Sequence, residues 1–197
     1  MGLGKRQGHS KETVAAKGKT KWQVRGFRSG RSLTLQDSGK GGGEGKIYRV
    51  LEDERLVAKI YHPHKRQPNQ LLKLQAMLNN PPVDPGGDTA SIAWPTDLVG
   101  LPNHPEQVVG FLMPRVDQVR PLHHFYTPKT RREEIVGFTH HYLLRMARNL
   151  AAIFHAIHDR GYVIGDVNES NILASSSTLV TLVDTDSFKV PDGDRTY

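Results

Sequence analysis

The chain has 197 residues, no cysteine, 37% hydrophobic residues and a net charge of +7. That length suits one ordinary domain with a real core. The missing cysteines exclude a disulfide scaffold, a thiolate metal site and a cysteine nucleophile. The longest apolar run, Val108 to Met113, is too short to span a bilayer. The N-terminus lacks an apolar signal segment, and Arg6 stands where a myristoylation signal needs Ser or Thr. A cytoplasmic protein without a membrane anchor is expected.

The charge is concentrated at one end. Residues 1–31 hold nine basic side chains (Lys5, Arg6, Lys11, Lys17, Lys19, Lys21, Arg25, Arg28, Arg31) against the single acid Glu12, and residues 32–197 sum to −1. With few large apolar residues, 1–31 reads as a basic, disordered arm. Such an arm is either a solvated tail or a non-specific nucleic-acid contact working through phosphate neutralisation, with Trp22 and Phe27 available to bases.

From Ser32 the pattern turns β-like. Ser32–Leu35 leads into the cluster Gly39-Lys40-Gly41-Gly42-Gly43-Glu44-Gly45, and 46–51 and 55–61 flank the polar turn 52–54 as a hairpin. Leu71, Leu74, Gln75 and Leu78 recur at helical spacing, and Pro81-Pro82 ends that helix. A loop rich in Pro, Gly and Asp follows, then a buried strand over 107–113. Residues 142–160 predict the clearest helix, with Leu143, Ala147, Leu150, Ala151, Phe154 and Ile157 on one stripe and Gly161 as a left-handed C-cap. Two short apolar runs, 172–174 and 179–183, form a small hairpin through Ser175-Ser176-Ser177.

The glycine cluster lies between two strands. That excludes a P-loop or a Rossmann turn, which both need a helix N-terminus after the glycines. A glycine-rich β-turn can instead fold over phosphates, because glycine lets backbone N–H groups approach closely. Val57-Ala58-Lys59 follows on the next strand. Far downstream come Asp166, Asn171 five residues later, and Asp184 after the small hairpin.

A glycine loop, a strand Lys, a long helix, an Asp/Asn pair and a final Asp in this order resemble the protein-kinase superfamily. More narrowly, they resemble bacterial kinase-like proteins whose metal motif reads Asp-x-Asp-Ser-Phe, here Asp184 to Phe188. The resemblance covers 32–197 and implies an α+β, protein-kinase-like fold. Its parts would be a β-rich N-lobe with one helix (32–113), a hinge at Pro114-Arg115-Val116 and an incomplete helical C-lobe (114–197), preceded by the arm. It implies ATP and Mg²⁺ as ligands. Gly41, Gly42, Gly43 and Gly45 would cover phosphates, and Ile47, Ala58, Met113, Pro114, Val116 and Leu173 would line the nucleotide site, with Met113 as gatekeeper. Lys59 would grip phosphate oxygens, Asn171 and Asp184 would hold the metal, and Asp166 would orient the acceptor hydroxyl and take its proton.

Several positions depart from the family pattern. No Glu occurs between Glu54 and Glu106, so the helix after Lys59 cannot supply the usual acid partner; Gln75 is either its substitute or an edge residue of the packed face. Ile164-Gly165 replaces His-Arg, Asn168 replaces the Lys that steadies the transferred phosphate, and Thr185-Asp186 replaces Phe-Gly. Phe188 is placed to pack where the missing Phe would, and Asp186 reads as a solvent-facing turn residue or as a third acid near the metal. The glycine count is ambiguous by one residue, because counting back from Gly45 puts Lys40 where the first glycine belongs. The histidines, including His155 and His158, read as surface residues, since zinc needs three or four converging ligands. The chain stops at Tyr197, inside the activation segment that the resemblance implies. Two readings follow: a Ser/Thr kinase in its full-length form, with an unknown protein substrate, or a pseudokinase that binds nucleotide as a switch or scaffold.

Overall fold

Period-2 burial builds the first half of the molecule. The computed structural model describes residues 21–135 and 137–197. Strands β1 (Lys21–Gly26), β2 (Ser32–Gly41), β3 (Gly45–Val50) and β4 (Leu56–Tyr61) follow one another by antiparallel pairing. After the helix α1 (Pro68–Asn79) come β5 (Asp97–Leu101) and β6 (His104–Pro114). The six strands close into a barrel in the order β1-β2-β3-β4-β6-β5, with β1 meeting β5 at Arg25↔Gly100 and Gly26↔Val99. Alternate residues fill its interior: Val24, Leu33, Leu35, Val50, Ala58, Ile60, Val99, Val109 and Leu112.

The strand β1 corrects the expected extent of the arm. Residues 21–31, assigned to it by charge, form β1 and the following turn, so Lys21, Arg25, Arg28 and Arg31 belong to the folded body. Arg28 also reaches the C-terminal end of α1, where Nη1 donates to the Leu78 carbonyl at 3.1 Å and Nη2 donates to the Asn79 side chain. A guanidinium there meets unpaired helix carbonyls and the negative end of the helix dipole. The rest of the expected arm, residues 1–20, lies outside the described residues, and with it any nucleic-acid contact made there.

The second half begins with β7 (Arg120–Pro121), α2 (His123–Tyr126) and α3 (Pro128–Glu134), then α4 (His140–Asp159). The strands β8 (Ile172–Ala174) and β9 (Val180–Leu182) form the expected hairpin, joined by β7 into three strands, and β10 (Pro191–Asp192) pairs with β11 (Arg195–Thr196). Gly161 ends α4 at φ +78°, and its N–H donates to the His158 carbonyl at 2.8 Å. The buried stripe of α4 is turned from the expected one: Met146, Ile153 and Ile157 are buried, while Ala147 and Ala151 are exposed.

The two halves share one core. Trp94 sits between them: its indole Nε1 donates to the Met77 carbonyl at 3.0 Å, and its ring lies 4.8 Å from Tyr162 and 6.3 Å from Phe188. The backbone of Ser91–Ala93 bonds to Leu182 from both sides, with Ala93 N–H to Leu182 O and Leu182 N–H to Ser91 O, each at 2.9 Å. This strap fixes α1 relative to the segment carrying Asp184.

Candidate functional site

The parity of β4 decides what faces the space between the halves. Ala58 and Ile60 point into the barrel, so Val57, Lys59 and Tyr61 point out of it. This corrects one expectation: Ala58 is part of the barrel core, and Val57, two residues before Lys59, lines the cleft in its place. The cleft has a volume of about 590 Å³. Its apolar walls are Ile47, Val57, Met113, Leu173 and Val183, with Pro114 and Val116 at one end and Gly41, Gly42, Gly43 and Gly45 over the other. Among the described residues, the Val116 backbone makes no hydrogen bond with the rest of the chain.

The glycine loop has a definite register. Pairing of β2 with β3 slips between Asp37 and Lys40, leaving Ser38 and Gly39 outside it, with Gly39 at φ +75°. Gly39 therefore serves the bulge, which absorbs the extra residue in the glycine count. Gly42 N–H donates to the Gly45 carbonyl at 2.9 Å and closes the turn. At Gly45 a Cβ would stand 2.3 Å from the Ile60 carbonyl oxygen, so only glycine lets β3 cross β4 here, whereas Gly42 and Gly43 face open space.

Lys59 is the electrostatic centre of the cleft. It is 8% exposed, and its Nζ lies 2.8 Å from each Asp186 carboxylate oxygen, 2.7 Å from Asp184 Oδ1 and 3.4 Å from Glu44 Oε2. Burial alone would lower the Lys59 pKa; the charges of Asp186 and Asp184 overcome it and raise the pKa above its ordinary value. Asp186 is 3% exposed, which overturns its reading as a solvent-facing turn residue. Its Oδ2 also accepts from the Tyr61 hydroxyl at 2.6 Å, and Gln70 Nε2 on α1 donates to that hydroxyl at 2.8 Å. Burial first, and then the Asp186 charge, push the Tyr61 pKa up. Gln75 is half-buried on α1 and makes no hydrogen bond to Lys59.

Each residue from Asp184 to Phe188 has a distinct task. Asp184 has φ 58° and ψ 38°, a left-handed conformation uncommon outside glycine. Its carbonyl accepts from Ser187 N–H at 3.1 Å and from Ser187 Oγ at 2.8 Å. The Thr185 hydroxyl donates to the Ala93 carbonyl at 3.0 Å. Phe188 is buried against Trp94.

The remaining groups converge on the loop before β8. Asp166 is exposed, and its Oδ2 accepts from Asn168 Nδ2 at 2.8 Å and from Asn171 Nδ2 at 3.1 Å. Asn168 Oδ1 accepts in turn from Ser170 N–H at 2.9 Å and Asn171 N–H at 3.2 Å. The residue standing in for the usual Lys thus builds the loop. Asn171 accepts Val183 N–H on its carbonyl at 2.9 Å, which ties this loop to Asp184. With Nδ2 committed to Asp166, Asn171 keeps Oδ1 free, and Asp184 Oδ2 is likewise free of hydrogen bonds among the described residues. A carboxylate oxygen and an amide oxygen are hard donors of the kind Mg²⁺ selects.

Glu44 and Asp186 are the site residues that sequence reasoning did not place on Lys59. The signal for them was the absence of an acid on α1, because a buried ammonium needs a counter-charge from somewhere.

No family model matches the chain. It is 34% identical over 175 residues to protein kinase YegI of Escherichia coli K12, covering 86% of this chain and 26% of YegI. The chain thus spans about a quarter of the length of the curated relative it matches. Among solved structures it resembles the ROP18 kinase domain in complex with AMP-PNP and sucrose, with a TM-score of 0.58 and 16% identity over 90% of this chain and 62% of that one. It also resembles ROP2 of Toxoplasma gondii, described as a virulence factor with a protein-kinase fold and no enzymatic activity, with a TM-score of 0.54 and 18% identity over 90% of this chain and 58% of that one. With this fold, this order of side chains in the cleft and this degree of identity to YegI, the chain belongs to the protein-kinase superfamily.

Proposed function

We propose that the cleft binds ATP with Mg²⁺ and that the protein transfers the γ-phosphate to Ser or Thr hydroxyls of a protein substrate. The observation that carries this reading is the placement of Lys59, Asp184 and Asn171 around one cleft, with Asp166 hydrogen-bonded to Asn171 at its mouth. The adenine ring would lie between Ile47, Val57 and Leu173, with the Val116 backbone free to pair with its edge. The glycine turn would cover the phosphates, and Lys59 would hold their oxygens. Asn171 Oδ1 and Asp184 Oδ2 would hold Mg²⁺, which neutralises charge on the phosphates during phosphoryl transfer. Asp166 would orient the acceptor hydroxyl and accept its proton. The two amides on its Oδ2 leave Oδ1 for that bond.

A pseudokinase is the second reading, favoured by two particulars. No Lys stands at position 168 to steady a transferred phosphate, and Glu44 reaches the ammonium that phosphate oxygens would use. Nucleotide would then act as a switch or scaffold ligand.

The deciding experiment measures ATP binding with Mg²⁺ and with EDTA, alongside transfer of radiolabelled phosphate, in the wild type, Asp166→Asn and Asp184→Asn. The kinase reading expects transfer that Asp166→Asn abolishes while binding persists. Mg²⁺-dependent binding without transfer leaves the pseudokinase, and absence of ATP binding in the wild type overturns both.

A further inference from the structure

The helix α1 has the sequence PNQLLKLQAMLN and carries no acid, so it cannot give Lys59 a counter-charge. Its nearest approach to this cluster is through Gln70, bonded to Tyr61, and through the half-buried Lys73, on which the charges of Asp186 and Glu44 act. The acid comes from the opposite side, through Asp186. We propose that Asp186 is the fixed counter-ion that positions Lys59 for nucleotide phosphate, and that Tyr61 and Gln70 link this pair to α1. The inference rests on the nucleotide-binding reading of the cleft.

Three acids surround Lys59, and they are not equivalent. Glu44 is more than half exposed on the glycine turn and holds Nζ at 3.4 Å. Asp184 is 37% exposed and binds through one oxygen, leaving the other toward the cleft. Asp186 is buried and uses both oxygens on Nζ, and one of them also accepts from Tyr61. An ionised carboxylate is stable at such depth only with its charge partner and hydrogen bonds intact. Entering phosphates and a cation can draw Glu44 and Asp184 away from Lys59 without burying an unpaired charge. Asp186 has no solvent to turn to, and the 3₁₀ turn Thr185–Ser187 holds its backbone. It therefore keeps Lys59 in place, while Asp184 is free to serve the metal.

The same geometry assigns α1 a secondary part. Where a helix acid grips the Lys directly, moving the helix disarms the site. Here Gln70 bonds Tyr61, and of these two only Tyr61 touches Asp186, so on the path from α1 to Lys59 a displaced helix breaks one neutral hydrogen bond and leaves the ion pair.

The test compares ATP, whose phosphates need Lys59, with adenosine, which needs only the apolar walls. Affinities are measured by calorimetry on the full chain with Mg²⁺ and with EDTA, and folding is followed by thermal melting. Asp186→Asn is expected to weaken ATP about tenfold to a hundredfold, the range for a lost charge-assisted contact, while leaving adenosine and the Mg²⁺ dependence of ATP binding intact. Tyr61→Phe is expected to weaken ATP about threefold, and Gln70→Ala less than that, as for neutral hydrogen bonds. Asp184→Asn should instead remove the Mg²⁺ dependence. If Asp186→Asn does not fold, the Tyr61→Phe ratio of ATP to adenosine affinity decides, and an unchanged ratio rejects the proposal. Equal losses for ATP and adenosine would make Asp186 a structural residue, and lost Mg²⁺ dependence would make it a metal ligand; either result overturns the inference. A wild type that binds neither ligand defeats the underlying nucleotide reading instead.

Discussion

The Tyr162 hydroxyl donates to the Asn80 carbonyl at 2.6 Å, joining the segment that leads into the Asp166 loop to the residue that follows α1. Burial raises the Tyr162 pKa to about 12 from 10.0, against smaller lowering effects of Arg160 and the Asn80 bond. An unfolded Tyr gives up its proton at a lower pH than this folded one, so its contribution to stability is complete below the unfolded value and is lost as pH rises toward about 12. Denaturant midpoints should fall over that alkaline range, and Tyr162→Phe should make the fall shallower. Tyr61, raised in the same sense, keeps it from vanishing. Equal slopes in the two proteins would refute the assignment.

Strand parity makes a paired prediction at positions 57 and 58. Val57→Phe puts a ring into the cleft and should abolish ATP binding with little change in melting temperature. Ala58→Leu overfills the closed barrel and should destabilise by about 1–3 kcal/mol. Melting curves and nucleotide titrations on both variants check the contrast, which an Ala58 side chain in the cleft would reverse.

Glycines of the loop should also divide. Gly45→Ala forces a Cβ against the Ile60 carbonyl and should lower the melting temperature by several degrees, whereas Gly43→Ala meets open space and should not. A well-folded Gly45→Ala protein would contradict the close approach of β3 to β4.

Phe188→Ala should cost about 3–5 kcal/mol, the usual range for emptying a buried aromatic site. Urea unfolding gives the number. A loss under about 1 kcal/mol would mean that Phe188 does not anchor the segment bearing Asp186.

Asn168→Ala should slow any phosphate transfer about tenfold with unchanged ATP affinity, because Asp166 loses one of its two amide donors. Steady-state kinetics separates the two quantities, and a raised KM for ATP with unchanged kcat would go against it.

Much of the fold was written in local pattern. Leu71, Leu74 and Leu78 marked α1, Gly161 marked the end of α4, and the order of Lys59, Asp166, Asn171 and Asp184 marked the fold family. Other features were masked by competing signals. The alternation of Trp22 and Val24 in β1 was hidden among basic residues, and β5 has no alternation because Asp97 to Gly100 are all buried. The direction of Asp186 was not legible at all. It depends on Tyr61 arriving from β4, 125 residues earlier in the chain. Asn168 was legible only as a missing Lys, since its role lies in bonds to its own loop.

The pairing of β1 with β5 has one more consequence. A sheet that ended at β5 would offer a row of open backbone N–H and C=O groups, a template on which a foreign strand can add or on which two copies can stack. Closure of the barrel covers that row at Arg25↔Gly100 and Gly26↔Val99. A foreign strand that sought the backbone of Val99 and Gly100 would first have to displace β1.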